Sequence, residues 1–303
     1  MSVKKYELVK DDYIEIKGKK LFRIVALKSF LTVEAGDLGG YIESEQNLYQ
    51  SGNAWVYDNA RVYDNALIYG NARVYDNALV YDNALVYGNA LVYDNAMVSG
   101  DAWVYGNARV SGDARVYDNA WVSGDALVYD NARVSGDAWV YGNAWVYGNA
   151  RVSGDAWVYG NAWVSGDALV YDNAWVSGDA WVYGNALVCD NAEIMWISKV
   201  GSELATLTVF KTKDGYNITR GCFIGTMDEF KAKVSEKDNS DESKKEYELL
   251  IPLIEYRFNK YLFPINIQDK EDNSHSIYSK DQIKRAIKYD KKIIKVLSKV
   301  VEA

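Results

Sequence analysis

From Val56 to Ile194 every sixth residue is aliphatic and the residue two before it is Ala, so nearly half of this 303-residue chain is one hexapeptide written 24 times. The unit reads Ala-x-Val-(Tyr/Ser)-(Asp/Gly)-(Asn/Asp). A short fixed period of this kind specifies a solenoid, in which each coil buries its apolar residues only against the coils before and after it.

If the first three residues of a hexad form a short strand, Ala and the aliphatic residue point inward, while the second and fourth residues point out. The last two positions, Gly-Asp, Asp-Asn or Gly-Asn, are residue types that enter the left-handed backbone region at least cost and so form a corner. Three strands and three corners close an 18-residue triangular coil. An 18-residue period sorts the second-position residues into three columns. Trp103, Trp121, Trp139, Trp157 and Trp175 fall in one, Trp145, Trp163 and Trp181 with Trp55 further up in a second, and Arg61, Arg115, Arg133 and Arg151 in the third. Tyr ladders such as Tyr57, Tyr75 and Tyr93 recur at the fourth position and read as structural stacks.

An aliphatic residue with a small residue two before it resembles the hexapeptide repeat of left-handed parallel β-helix proteins, across about residues 53 to 197. The resemblance implies a mainly β fold, a left-handed triangular solenoid of about eight coils; the handedness comes from it alone. The blocks Lys5-Tyr6-Glu7-Leu8, Ala35 to Glu43, the Asn-Ala-Arg-Val-Tyr hexads and Gly221 to Thr226 also resemble a poorly characterised family common in phages and prophages. That implies a mobile-element origin and no particular activity.

The expected organisation is an N-terminal β cap over 1–50, the β-helix over 51–197, and an α+β C-terminal domain over 198–303. In the cap, strands Tyr13 to Lys17 and Leu21 to Val25 flank Gly18, and Asp37-Leu38-Gly39-Gly40 reads as a turn. Beyond the coils, Leu204 to Thr212 and Tyr216 to Ile224 read as a hairpin across Asp214-Gly215. Thr226 and Glu229 form a capping box at a helix start, a charged linker runs from Glu236 to Glu242, and a second helix covers Ser243 to Tyr261. Caps are expected because an open coil end exposes unpaired strand edges. The last segment, Lys280 to Lys299, spaces Ile283, Ile287, Ile294 and Leu297, followed by Val300, among seven Lys and one Arg. It reads as a basic amphipathic helix that either packs on the acidic coils or meets nucleic acid.

Residues 53 to 192 hold 16 Asp, 6 Arg and no Lys or Glu, a balance of −10 within a net charge of −8. So acidic a surface repels nucleic acid unless it imitates it, and direct DNA binding by the coils is not expected. Two isolated cysteines, Cys189 and Cys222, suggest reduced thiols. With neither an export-type N-terminus nor an 18-residue apolar run, the expected location is the cytoplasm, without membrane contact.

Enzymes known on this solenoid, acyltransferases and a class of carbonic anhydrase, depend on His as base or zinc ligand. The single His here, His275, lies far outside the repeat. Corner Asp such as Asp101 and Asp137 fit backbone capping better than calcium binding, and the repeat lacks the Thr arrays of ice binders. No catalytic residue, cofactor or metal is expected. The candidate binding residues are Trp103, Trp121, Trp139, Trp157, Trp175, Trp145, Trp163, Trp181, Tyr141 and Tyr159, which together would make an apolar surface larger than monomers usually expose. Such a surface could be a homodimer seam, a seat for a heterologous protein, or a stacking platform for a glycan or nucleotide. The expected function is a non-enzymatic phage-type scaffold, a homodimer joined through a Trp face or its C-terminal domain, that interferes with a host defence protein by occlusion or acidic nucleic-acid mimicry; a glycan- or nucleotide-binding module is the alternative.

Overall fold

The computed structural model describes residues 4–236 and 241–262. His275 and the segment from Lys280 to Val300 lie outside the described residues, as does the centre of the charged linker. The chain divides into two compact units, Met1–Asn185 and Ala186–Ala303. No helix among the described residues is long and apolar enough to cross a membrane.

Two-residue strands recur every six residues from Trp55–Val56 to Trp181–Val182 and pair in parallel with the strand 18 residues away. Trp103 thus faces Trp121, Arg115 faces Arg133, and Trp145 faces Trp163 in register. Three parallel sheets result, joined at corners, and the protein is a mainly β parallel solenoid of about eight coils. Within the coils every Ala and aliphatic position of the repeat is buried. Backbone bonds such as Trp121 N–H to Ala138 O, 2.9 Å, tie each coil to the next. A one-residue slip would turn these apolar rows outward, so the period of the sequence fixes the register.

Corners take the left-handed conformation at the fifth position, with φ near +59° at Asp76, Asp82 and Asp94 and +71° at Gly88. Asp tolerates this region better than most residues because its short carboxylate bonds locally. Here Asp94 accepts from Gly112 N–H at 2.9 Å and Asp82 from Gly100 N–H at 3.2 Å, one coil on, so fifth-position Asp residues cap backbone amides, whereas Asp101 and Asp137, expected to do so, sit at the sixth position and accept from the side chains of Asn83 and Asn119 at 2.9 and 2.8 Å. At the sixth position Asn side chains form a ladder: Asn71 donates to Asn89 at 3.0 Å, Asn89 to Asn107 at 2.9 Å and Asn107 to Asp125 at 2.8 Å. An Asp ends each run because a carboxylate accepts without donating onward.

At the N-terminus, β1 (Tyr6–Ile16) and β2 (Lys19–Ala26) form an antiparallel pair longer than expected, because Tyr6 to Val9 resume pairing beyond an irregularity between Val9 and Tyr13. The expected turn at Asp37 to Gly40 is instead a strand, β3 (Leu38–Ile42). Its glycines serve close approach: a Cβ on Gly39 would lie 2.5 Å from Ile24 Cγ1, and one on Gly40 would lie 2.6 Å from Ala60 O. β3 pairs antiparallel with β2 and parallel with the strand Arg61–Val62, so the cap adds strands to one solenoid sheet. Buried Lys5 donates to Ala54 O at 2.8 Å, and burial with nearby Lys28 lowers its pKa to about 8.

In the second unit the last repeat departs from expectation. Ile194 opens β4 (Ile194–Val200), which pairs antiparallel with β5 (Ala205–Thr212), so 23 hexads form coil strands and the 24th does not. β5 continues antiparallel to β6 (Gly215–Arg220), and β6 to β7 (Phe223–Thr226). The expected second hairpin strand is therefore two strands, broken at Gly221-Cys222, and the hairpin turn is Lys213-Asp214, with Gly215 already paired to Thr212. Helix α1 (Met227–Ser235) starts at the expected capping box: Glu229 N–H donates to Thr226 Oγ1 at 3.3 Å, and Thr226 N–H to Glu229 Oε2 at 2.7 Å. Helix α2 (Asp241–Leu262) follows. Leu207, Val209, Ile218, Phe230, Ile254 and Phe258 form their common core. Cys189 is half-buried, its thiol donating to Glu193 Oε2 at 3.0 Å, and Cys222 is exposed; the two are not joined in a disulfide.

Candidate functional site: the outward ladders

Each solenoid face shows one outward residue per coil at the second position and one at the fourth. Rungs in a parallel sheet lie about 4.8 Å apart, close to ring-stacking distance, so a repeated aromatic side chain stacks on its own copy. On the first aromatic face the centroids of Trp103 and Trp121 are 4.8 Å apart, Trp121 and Trp139 4.7 Å, Trp139 and Trp157 5.2 Å, and Trp157 and Trp175 5.3 Å, all within 11° of parallel. Tyr141 and Tyr159 stack beside them at 5.1 Å, and Tyr141 meets the Trp157 ring edge-on at 6.4 Å. Burial, then the neighbouring Tyr159, pushes the Tyr141 hydroxyl pKa up.

The second aromatic face is shorter. Trp145 stacks on Trp163 at 4.9 Å, but Trp181 turns 74° to Trp163 at 5.9 Å and ends the stack. Trp55, expected in this column, is only 1 % exposed: Tyr6 and Phe30 of the cap pack edge-on against it at 6.1 and 5.4 Å. It is a cap anchor, separated by Arg73, Leu91, Arg109 and Leu127 from the Trp residues of its column. The other Trp side chains are partly exposed, most of all Trp175 at 44 % and Trp163 at 38 %.

The corner between the two aromatic faces carries Gly at every fifth position from Gly52 to Gly178, and its only sixth-position acids are Asp125 and Asp179. By contrast, the two edges bordering the arginine face hold six and seven Asp in residues 53–185. The solenoid thus has an aromatic side of low charge and an opposite side where cations lie between acidic edges. Sequence reading separated the Trp and Arg columns; the all-glycine edge was legible from the same 18-residue spacing, by following the corner residues as well.

The arginine face carries a feature that composition does not reveal. Arg115, Arg133 and Arg151 occupy consecutive rungs, and none makes an ion pair among the described residues. Tyr63 and Tyr81 stack at 5.1 Å beside β1 and β2, with Lys17 Nζ 5.5 Å from the Tyr81 centroid. At the next rung Ser99 replaces Tyr, and Tyr117 follows one rung later. The missing ring leaves a cleft of about 280 Å³ between Tyr81 and Tyr117, lined by the second-position residues Met97, Arg115 and Arg133 and by the corner residues Asp82, Gly100 and Asp118.

Among the described residues no group of three His, Cys, Asp or Glu lies close enough to hold a metal ion. The coils match the family described as YdcK Beta solenoid repeat over residues 54–70, 60–76, 66–82, 72–88, 90–106, 102–118, 108–124, 126–142, 144–160 and 162–178. The chain is thus similar to a family of repeat β-solenoids, in its coils. No curated protein matches the chain.

Proposed function

We propose that this protein is a non-enzymatic binding scaffold that works as a homodimer, two copies joined along the aromatic side. The observation that carries this reading is the five-rung Trp stack bordered by an all-glycine edge, with a second Trp face beyond it. A second copy is the partner that fits. Its ladder has the same rung spacing, so contacts between two copies can repeat along the length, and a two-fold axis makes such a surface self-complementary. Charge favours the same side, because two acidic solenoids approach with least repulsion where each carries least Asp. Partly exposed Trp rings offer the large, rigid apolar area that anchors interfaces.

On this reading the acidic edges remain open for a basic partner, the route by which a phage-type protein would occlude a host factor. Imitation of nucleic acid has less support, since Arg115, Arg133 and Arg151 stand between those edges where a mimic would carry no cations. Light scattering on the eluting protein tests the dimer. Wild type is expected at twice the chain mass, and Trp139→Ala with Trp157→Ala is expected to give a folded monomer. A monomeric wild type, or a double variant that stays dimeric, overturns the reading.

A further inference from the structure

We propose that the cleft at Ser99 is a binding site for a planar aromatic anion of nucleoside monophosphate type, on the arginine face and independent of association through the Trp side. Three observations converge on it. The Tyr ladder is interrupted at one rung, so Tyr81 and Tyr117 stand two rungs, roughly 9.6 Å, apart with Ser99 between them. Where the ladder is unbroken the middle rung is a ring: Tyr87 stacks 4.7 Å from Tyr69 and 5.0 Å from Tyr105. A flat guest between Tyr81 and Tyr117 restores the same spacing on both of its faces, which is how aromatic side chains hold a base.

Second, the Arg115 and Arg133 guanidinium groups line the cleft without an ion pair among the described residues, and Arg151 extends their row by one rung. Like charges opposite one another in a sheet repel, and a phosphate bridging two guanidinium groups removes that penalty while offering the oxygens that planar forks recognise. Third, the corner side of the cleft carries the Asp82 and Asp118 carboxylates, which can accept from the amino and ring N–H groups on a base edge. Stacking faces, an anion wall and an acceptor wall together select an aromatic ring that has amino hydrogens at one end and phosphate at the other. A bare anion or a sugar satisfies only one wall.

Neighbouring gaps are not equivalent. Ser111, Ser165 and Ser177 also interrupt Tyr columns but are buried; Ser123 is half-buried but has Trp121 rather than arginine beside it, and Ser135 with Ser153 leaves Tyr117 and Tyr171 three rungs apart, too far for one ring to touch both. The volume of about 280 Å³ lies just below the roughly 300 to 1,000 Å³ of ordinary ligand pockets, a size suited to a mononucleotide rather than a dinucleotide.

The test is isothermal titration of the full chain with AMP and GMP, and separately with adenosine and inorganic phosphate. A mononucleotide is expected to bind more tightly than either fragment. Arg115→Ala with Arg133→Ala is expected to weaken it by roughly tenfold or more. Ser99→Tyr installs the ring that the repeat itself uses, so this variant is expected to fold normally and to abolish binding. Trp139→Ala with Trp157→Ala leaves it unchanged, which separates this site from the dimer seam. Binding that survives Ser99→Tyr in a folded protein overturns the proposal. So does phosphate alone binding as tightly as the nucleotides, or no nucleotide binding at millimolar concentration.

Discussion

The arginine face and the first aromatic face are built on one backbone, with the same buried Ala and Val rows, the same parallel register and the same corner geometry. They differ only in what stands outward. On the aromatic face the second position repeats one side chain five times in succession and the rings stack into a continuous surface. On the arginine face the second position changes from Leu79 to Met97 to Arg115, and the fourth from Tyr81 to Ser99 to Tyr117, which opens a cleft. In a solenoid, then, an unbroken second-position ladder makes a docking surface even where the fourth position changes, as at Ser123, and a change at both outward positions opens a pocket. The interior is indifferent to which of the two is chosen.

That indifference is open to attack, and the largest effect is expected where it is attacked directly. Val116 lies inside the arginine face and Val122 inside the first aromatic face, both fully buried. Val116→Asp and Val122→Asp each bury a charge with no partner and are expected to cost more than about 4 kcal/mol, enough to melt the local coils in urea-denaturation experiments. If one of the two were tolerated, the faces would not share an equivalent interior.

A smaller effect is expected from alkali. Burial, then the stacked neighbours Tyr81 and Tyr147 respectively, raises Tyr63 on the arginine face and Tyr129 on the second aromatic face to about 12 from an ordinary 10.0. Between those values the folded chain holds protons that the unfolded chain has lost, so stability falls as pH rises from 10 to 12. Lys5 has the opposite sign. Its folded pKa of about 8 lies below the ordinary 10.5, the unfolded chain holds the extra proton, and stability rises with pH across that window. Urea midpoints should therefore climb from pH 8, turn over near 10 and decline, and Lys5→Met should remove the climb alone. A midpoint that stayed level above pH 10 would mean that ionised ladders are tolerated.

The coils were legible because a period is a global property: each hexad constrains its neighbours, and the 18-residue columns follow from sequence alone. The flanks depend on contacts distant in sequence. Nothing local distinguishes Gly39-Gly40 in a turn from Gly39-Gly40 in a strand pressed against Ile24 and Ala60. Ile194 keeps the aliphatic spacing of the repeat yet pairs antiparallel with Phe210, a partner that the hexad pattern does not encode. Trp55 belongs to its column by spacing, and only the fold of the cap buries it under Tyr6 and Phe30. The Ser99 cleft lay between the two cases, since Ser at that rung was visible in the sequence but the openness of its gap was not.

The smallest effect concerns the glycine edge that separates the two aromatic faces from the acidic side in character. Asp125 there accepts from Asn107 at 2.8 Å and cannot donate to Asn143, so it ends a run of Asn side chains. Asp125→Asn keeps the acceptor, adds a donor toward Asn143 and removes one of two acids from that edge. If the edge is kept poor in charge to let two copies approach, the variant should be more stable by about 0.5 kcal/mol from the added ladder bond. It should also dimerise more tightly, with that gain fading as salt screens the lost repulsion. Folding stability measured on dilute monomer separates the first effect from the second, and dimerisation measured across ionic strength reads the second alone. A dimer weakened by Asp125→Asn would mean that this carboxylate contacts the second copy directly, which would give the low-charge edge a polar contact of its own and make the seam more specific than ring-on-ring packing.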